Sequence, residues 1–201
     1  MPVMDGIELC KHLKQHPDTC HIPFILLTAE DNENRHFSGL EAKANAYLNK
    51  PFNPKMLLML LSNMIENQKN IKQLFVNQLE INAEQITNNE LDAILLDKLI
   101  SFVDSHITDE NLNSDVLAQA VSMSRSLLYI KLKNITGQSV NEFIRTVRLK
   151  KSAQLLLLNK HNVNEIADLC GFNSTSYYIR SFVKMYGLSP SDYVKKMRDN
   201  V

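Results

Sequence analysis

Ser176, Tyr177, Arg180 and Lys184 recur at spacings of one, three and four residues, with Thr175 just before them. On a helix that spacing gathers hydroxyl, phenol, guanidinium and ammonium groups on one side. These groups bond to base edges and phosphate oxygens. Tyr178, Phe182 and Met185 fall on the opposite stripe, which must pack inward. Upstream, Val163, Ile166, Ala167 and Cys170 recur at helical spacing, Gly171 stops the run, and Ser174 offers a cap for the next helix. The pattern is a helix, a tight turn and a helix. A short helix with a polar outer face, braced by a preceding one, fits the DNA major groove. Gly171, Phe172, Phe182 and Pro190 read as turn, core and helix stop.

The positions Gly171-Phe172, Ser176-Tyr177, Arg180, Phe182, Gly187, Ser189-Pro190 and Tyr193 together resemble the second helix-turn-helix of the AraC/XylS family of transcription regulators. Residues 123–133, with Thr136-Gly137 and Ser139 after them, resemble the first. There Leu128 and Leu132 would point inward, and Ser126, Tyr129 and Lys133 outward. The resemblance implies double-stranded DNA as the partner. It assigns DNA contact to Arg125, Ser126, Tyr129 and Lys133 in the first unit, and to Thr175, Ser176, Tyr177, Arg180 and Lys184 in the second. Two positions depart from the family: Ile130 stands where many members carry a reading Arg, and Val183 where a second basic residue is common.

Between the units, residues 140–158 alternate apolar side chains with Arg145, Arg148, Lys150 and Lys151. A helix of 19 residues spans roughly 28 Å, near the ~34 Å between successive major-groove faces. Charge supports the same partner. The chain is neutral overall, but residues 1–119 hold 9 Lys and Arg against 17 Asp and Glu, while residues 120–201 hold 13 against 5. A basic segment built around helix-turn-helix patterns attracts nucleic acid.

The elements before that domain have another pattern. Residues 7–14 read as a helix, 23–29 as a strand buried on both faces, 34–43 as a helix, 46–49 as a second strand, and a long amphipathic helix starts at Asn53. That order fits a parallel doubly wound α/β sheet, whose working residues sit at the carboxyl ends of strands. Thr28 and Lys50 occupy such ends. With Met1-Pro2-Val3-Met4-Asp5-Gly6 they make the segment resemble the C-terminal half of a response-regulator receiver domain. The resemblance gives Thr28 and Lys50 the task of binding a phosphorylated aspartate, gives Tyr47 a switch role, and makes the Lys50-Pro51 peptide commonly cis. In that family the acceptor Asp and the acidic pair that holds Mg²⁺ lie upstream of the Met-Pro pair. The expectation is therefore a fragment or truncated product that lacks both, and with no cofactor of its own. A sheet short of its first strands should leave apolar surface unburied.

The expected fold is thus an α/β remnant with a parallel sheet (1–73), a linker (74–90) and an all-α domain of two helix-turn-helix units joined by a long helix (91–201). The expected role is a cytoplasmic, non-enzymatic transcription regulator at the output end of a phosphorelay, or the tail of a hybrid sensor kinase. RNA polymerase, a second copy of the chain and, for an intact receiver, a cognate histidine kinase are the further partners this implies. A protein-interaction module without operator recognition is the alternative. Three scattered cysteines suit a reducing compartment. No apolar run approaches the ~20 residues that span a bilayer, so no membrane contact is expected. His12, His16 and His21 lie near Cys10 and Cys20, but Leu13 stands where a zinc-protease helix carries Glu, and no C-x-x-C spacing occurs.

Overall fold

The computed structural model of the protein describes residues 4–29, 42–77, 82–87 and 89–199. Asp5 starts α1 (Gly6–Gln15): its carboxylate accepts the Ile7 and Glu8 amides at 2.8 Å, and Glu8 accepts the Asp5 amide in return. This capping box satisfies donors that the first turn leaves open. β1 (Ile25–Thr28) and β2 (Ala46–Asn49) pair in parallel, with Ile25 opposite Ala46 and Thr28 opposite Asn49. Cys10, Leu26 and Ala42 form a small core beside them. Leu27 is 43% exposed, which corrects the expectation of a strand buried on both faces. Side chains alternate along a strand: Leu26 and Tyr47 face the small core, while Leu27 shares the other face with the buried Leu48 and is itself left uncovered. The helix expected over 34–43 lies, up to residue 41, outside the described residues.

α2 (Pro54–Asn77) leaves Met56, Leu58, Met59, Leu61 and Ile65 exposed, the unburied apolar surface expected of this segment. Its far end behaves differently. Phe75 is fully buried and stacks on Phe143 with ring centroids 5.6 Å apart. Beyond it, α3 (Ala83–Ile86) buries Ala83 and Ile86. Residues 74–90, expected as a linker, therefore contribute three side chains to the helical core. Their Asn, Gln and Glu content hid this, because the few apolar residues among them do the packing.

Seven helices follow: α4 (Glu90–Ser105), α5 (Ser114–Ala120), α6 (Arg125–Ile135), α7 (Val140–Leu158), α8 (Val163–Leu169), α9 (Thr175–Tyr186) and α10 (Pro190–Asp199). They enclose two cores. The first gathers Leu96, Leu99, Leu117, Leu128, Leu132 and Phe143, and the second Leu149, Ala153, Ile166, Tyr178, Phe182 and Tyr193. α7 belongs to both, giving Phe143 and Val147 to one and Leu149 and Leu156 to the other. The second core is aromatic. Tyr193 meets Phe182 edge-on at 5.4 Å, and Tyr186 lies 4.5 Å from Phe182, spacings at which ring quadrupoles attract.

Burial in that core pushes the Cys170 thiol up to about 12 and the Tyr178 phenol also up to about 12. A raised folded-state value means the proton is held more tightly in the fold, so this stabilisation is intact below the unfolded value and is lost as pH climbs through the folded one. For Cys170 the window opens at the ordinary 9.0 and closes near 12. Lys150 works in the opposite sense, since burial lowers its ammonium to about 8 and higher pH relieves it. Urea midpoints measured across about pH 9 to 11 should fall less for Cys170→Ala than for the wild type. Parallel curves would remove Cys170 as a source of alkaline loss.

Candidate nucleic-acid interface

The two helix-turn-helix units are built by the same local devices. Asn162 caps α8 by accepting the Asn164 and Glu165 amides at 3.0 Å. After Cys170, Gly171 turns left-handed at φ 70°, and the Phe172 amide donates to the Ala167 carbonyl at 3.0 Å. Ser174 then caps α9. In the first unit Asn113 caps α5 and accepts the Asp115 and Val116 amides. Ser122 takes the left-handed position at φ 55°, the Met123 amide donates to Ala118 at 3.0 Å, and Ser124 caps α6. Paired turn bonds of this form satisfy the last carbonyls of a helix and redirect the chain sharply.

α9 buries Tyr178 and Phe182, and turns Ser176, Tyr177, Arg180 and Lys184 to solvent, with Thr175 half-buried at its first turn. Arg180 Nε donates to the Ser176 carbonyl at 3.3 Å. Tyr177 leans on Phe172 with centroids 6.1 Å apart, and its hydroxyl accepts from Arg145 Nη1 at 3.3 Å. The Arg145 guanidinium holds the Tyr177 phenol below its ordinary value. Sequence reasoning did not single out Arg145. It lies on α7, 32 residues from Tyr177, and no spacing rule links the two. Arg145 also lines a groove of about 430 Å³ with Asn141, Asn173, Ser174 and Tyr177. Its neighbour Arg148 serves the scaffold instead, donating to the Asp109 carbonyl at 2.6 Å.

On α6, Leu128 and Leu132 point inward, while Arg125, Ser126, Tyr129, Ile130 and Lys133 face solvent. Arg125 is already engaged, because its Nε forms an ion pair with Asp115 on α5. Its guanidinium must exchange that carboxylate for any anionic ligand.

At the other end of the chain, the Lys50 amide donates to the Thr28 carbonyl at 2.6 Å, so both residues stand at the carboxyl edge of the sheet. The Lys50-Pro51 peptide is cis. Tyr47 packs partly buried against Cys10, Leu26 and Ala42, and burial raises its phenol. A hydroxyl and an ammonium suit a phosphoryl oxygen rather than a cation. Among the described residues no group of three His, Cys, Asp or Glu is placed to hold a metal. Cys10 instead donates to the Ala42 carbonyl, and Cys20 faces Asp92.

Residues 1–62 match the family described as response regulator receiver domain, and residues 117–196 match a helix-turn-helix domain family. The chain joins a receiver segment to an AraC-type helix-turn-helix domain. Similarity runs through both parts. Histidine kinase P4 of Formosa agariphila is 37% identical over 193 residues, which cover 96% of this chain and 14% of that protein. Porin thermoregulatory protein EnvY of Escherichia coli is 38% identical over 89 residues, 44% of this chain and 35% of that one. The chain thus spans well under half the length of these relatives. Among solved structures, the C-terminal domain of AraT, a response regulator from Geobacillus stearothermophilus, is 24% identical with a TM-score of 0.46, over 51% of this chain and 84% of that one.

Proposed function

We propose that the AraC-type domain reads duplex DNA through α6 and α9, and that in the full protein the receiver segment controls this reading as part of a two-component relay. The observation that carries it is the duplicated unit on one spacer. Each reading helix follows the same left-handed turn, each buries its apolar stripe, and α7, 19 residues long and thus roughly 28 Å from end to end, connects the two units. The DNA-reading domain is assigned to 91–201, with 74–90 as a linker that lends Phe75, Ala83 and Ile86 to its core, and 1–73 as the receiver segment. Arg125, Ser126, Tyr129 and Lys133 of α6, and Thr175, Ser176, Tyr177, Arg180 and Lys184 of α9, are the proposed contacts. Thr28, Tyr47 and Lys50 are the residues through which a phosphoryl group on an intact receiver would act. A kinase that supplies it, RNA polymerase and a second copy of the chain are the proposed partners. Among the described residues no helix is long and apolar enough to cross a membrane.

Fluorescence anisotropy with operator and scrambled duplexes tests this. Affinity should fall steeply between low and moderate salt, because cationic contacts release condensed counterions, while a preference for one sequence persists. Arg180→Ala should cost roughly 1–3 kcal/mol on the preferred site and relax discrimination at one or two base pairs. An equal loss on every duplex would reassign Arg180 to phosphate contact.

A second reading has its own support. Ile130 and Val183 are 48% and 41% exposed within the two reading faces, and apolar positions there suit an acidic, partly apolar protein partner. Salt-sensitive binding with no sequence preference in any selected pool of duplexes would favour that reading.

A further inference from the structure

Three side chains from three distant parts of the chain meet in a dry seam. Lys131 of α6, Asp92 of α4 and Cys20 of the receiver segment are each 1% exposed. Lys131 Nζ lies 2.5 Å from Asp92 Oδ1, and the Cys20 thiol lies 3.4 Å from both atoms. The Asn89 side chain donates to the Cys20 carbonyl at 3.4 Å. On the receiver side Lys14 pins the turn that carries Cys20, donating to the Ile22 carbonyl at 2.7 Å and to Asn45 Oδ1 at 2.9 Å.

A buried ion pair is tolerated only while its remaining donors are satisfied and water is kept out. Asp92 and Lys131 come from the helical domain, and the thiol that touches both comes from the receiver segment. Beside the seam lies a cavity of about 460 Å³, lined by Lys14, Cys20, His21, Asn89, Asp92 and Asn134 among others. Asp92 and Cys20 already form part of its wall, and withdrawal of the turn would open it as far as Lys131. Lys131 also sits on the inner side of the helix whose outer side carries Tyr129, Ile130 and Lys133.

We infer that Asn89, Asp92 and Lys131 form a docking surface on the first helix-turn-helix unit, that its occupant is the chain's own turn around Cys20, and that seating this turn holds α6 in order. Receiver position is thereby coupled to the first reading helix and not to the second. Asp92 and Lys131 stay dry with the turn in place. With the turn withdrawn they hydrate, and α6 loses the tether to α4.

Hydrogen exchange on the full chain, without DNA, tests the coupling apart from the DNA-reading proposal. Cys20→Arg sets a second cation against Lys131 and should expel the turn. Amides of 89–96 and 125–135 should then exchange at least about tenfold faster, with 163–186 unchanged, whereas Cys20→Ser should behave as wild type. Unchanged exchange in 125–135, or equal acceleration in 163–186, would overturn the inference. Should Cys20→Arg fail to fold, alkylation of the wild-type chain by iodoacetamide decides. Cys20 should react faster than Cys170, and Cys20-alkylated molecules should show the same loss of protection over 125–135. A single rate for both thiols, or full protection after alkylation, would refute it.

Discussion

Replacing Gly171 by Ala should destabilise the protein by roughly 4 kcal/mol, at the upper end for single substitutions. Two costs coincide at this position. Its φ of 70° lies in the left-handed region, where an L side chain costs about 1–2 kcal/mol. A Cβ there would also overlap the Ile107 carbonyl oxygen and stand 2.8 Å from Arg148 Nη2. The carbonyl is backbone and the guanidinium is held by Asp109, so neither yields cheaply. Gly187 separates the two costs. At φ 73° it has the same backbone demand, but nothing lies within 4 Å of its would-be Cβ, so Gly187→Ala should lose only the ~1–2 kcal/mol of conformation. Gly137 falls between them, since its Cβ would press on the flexible Lys72 side chain. Urea unfolding of the three variants should rank 171, then 137, then 187. Equal losses at 171 and 187 would mean that packing at the turn contributes nothing.

Lys131→Met should cost about 3–5 kcal/mol, because it leaves the Asp92 carboxylate buried without its cation. The pair itself contributes far less than that figure implies. Desolvation of both groups offsets most of their attraction, so Asp92→Leu combined with Lys131→Met should recover most of the loss and end near wild type. A double-mutant cycle on thermal unfolding measures this directly. Additive losses in the double variant would show that the two side chains act independently, and the 2.5 Å contact would then have no energetic meaning.

Much of the site could be read in the sequence because it rests on local rules. The spacing of Tyr178 and Phe182 against Ser176, Tyr177 and Arg180 fixes an inner and an outer face from helix period alone. Ser174 and Gly171 announce the turn by their residue types. The spacer came out at 140–158 because its apolar residues persist without a break signal. What stayed hidden depends on long-range packing. Lys131 sits between Ile130 and Leu132 and looks like one more surface cation of a basic domain, yet it is buried against a residue 39 positions away. Phe75 lies in a polar stretch and gives no periodic signal, although it stacks on Phe143. Arg145 could be counted among the spacer's cations but not matched to Tyr177. Arg125 could be placed on the outer face, but its Asp115 partner could not, since that depends on how α5 crosses α6.

The double membership of α7 has a consequence for how this architecture can vary. Each residue of an α-helix adds about 100° of rotation and ~1.5 Å of rise, and both ends of α7 are mortised into packed aromatic or aliphatic bodies. One inserted residue would therefore swing one unit about a third of a turn around the other, with no hinge to absorb the twist. Length changes in this helix are tolerable only near whole-turn multiples, which leaves the loops as the places where insertions and deletions can accumulate.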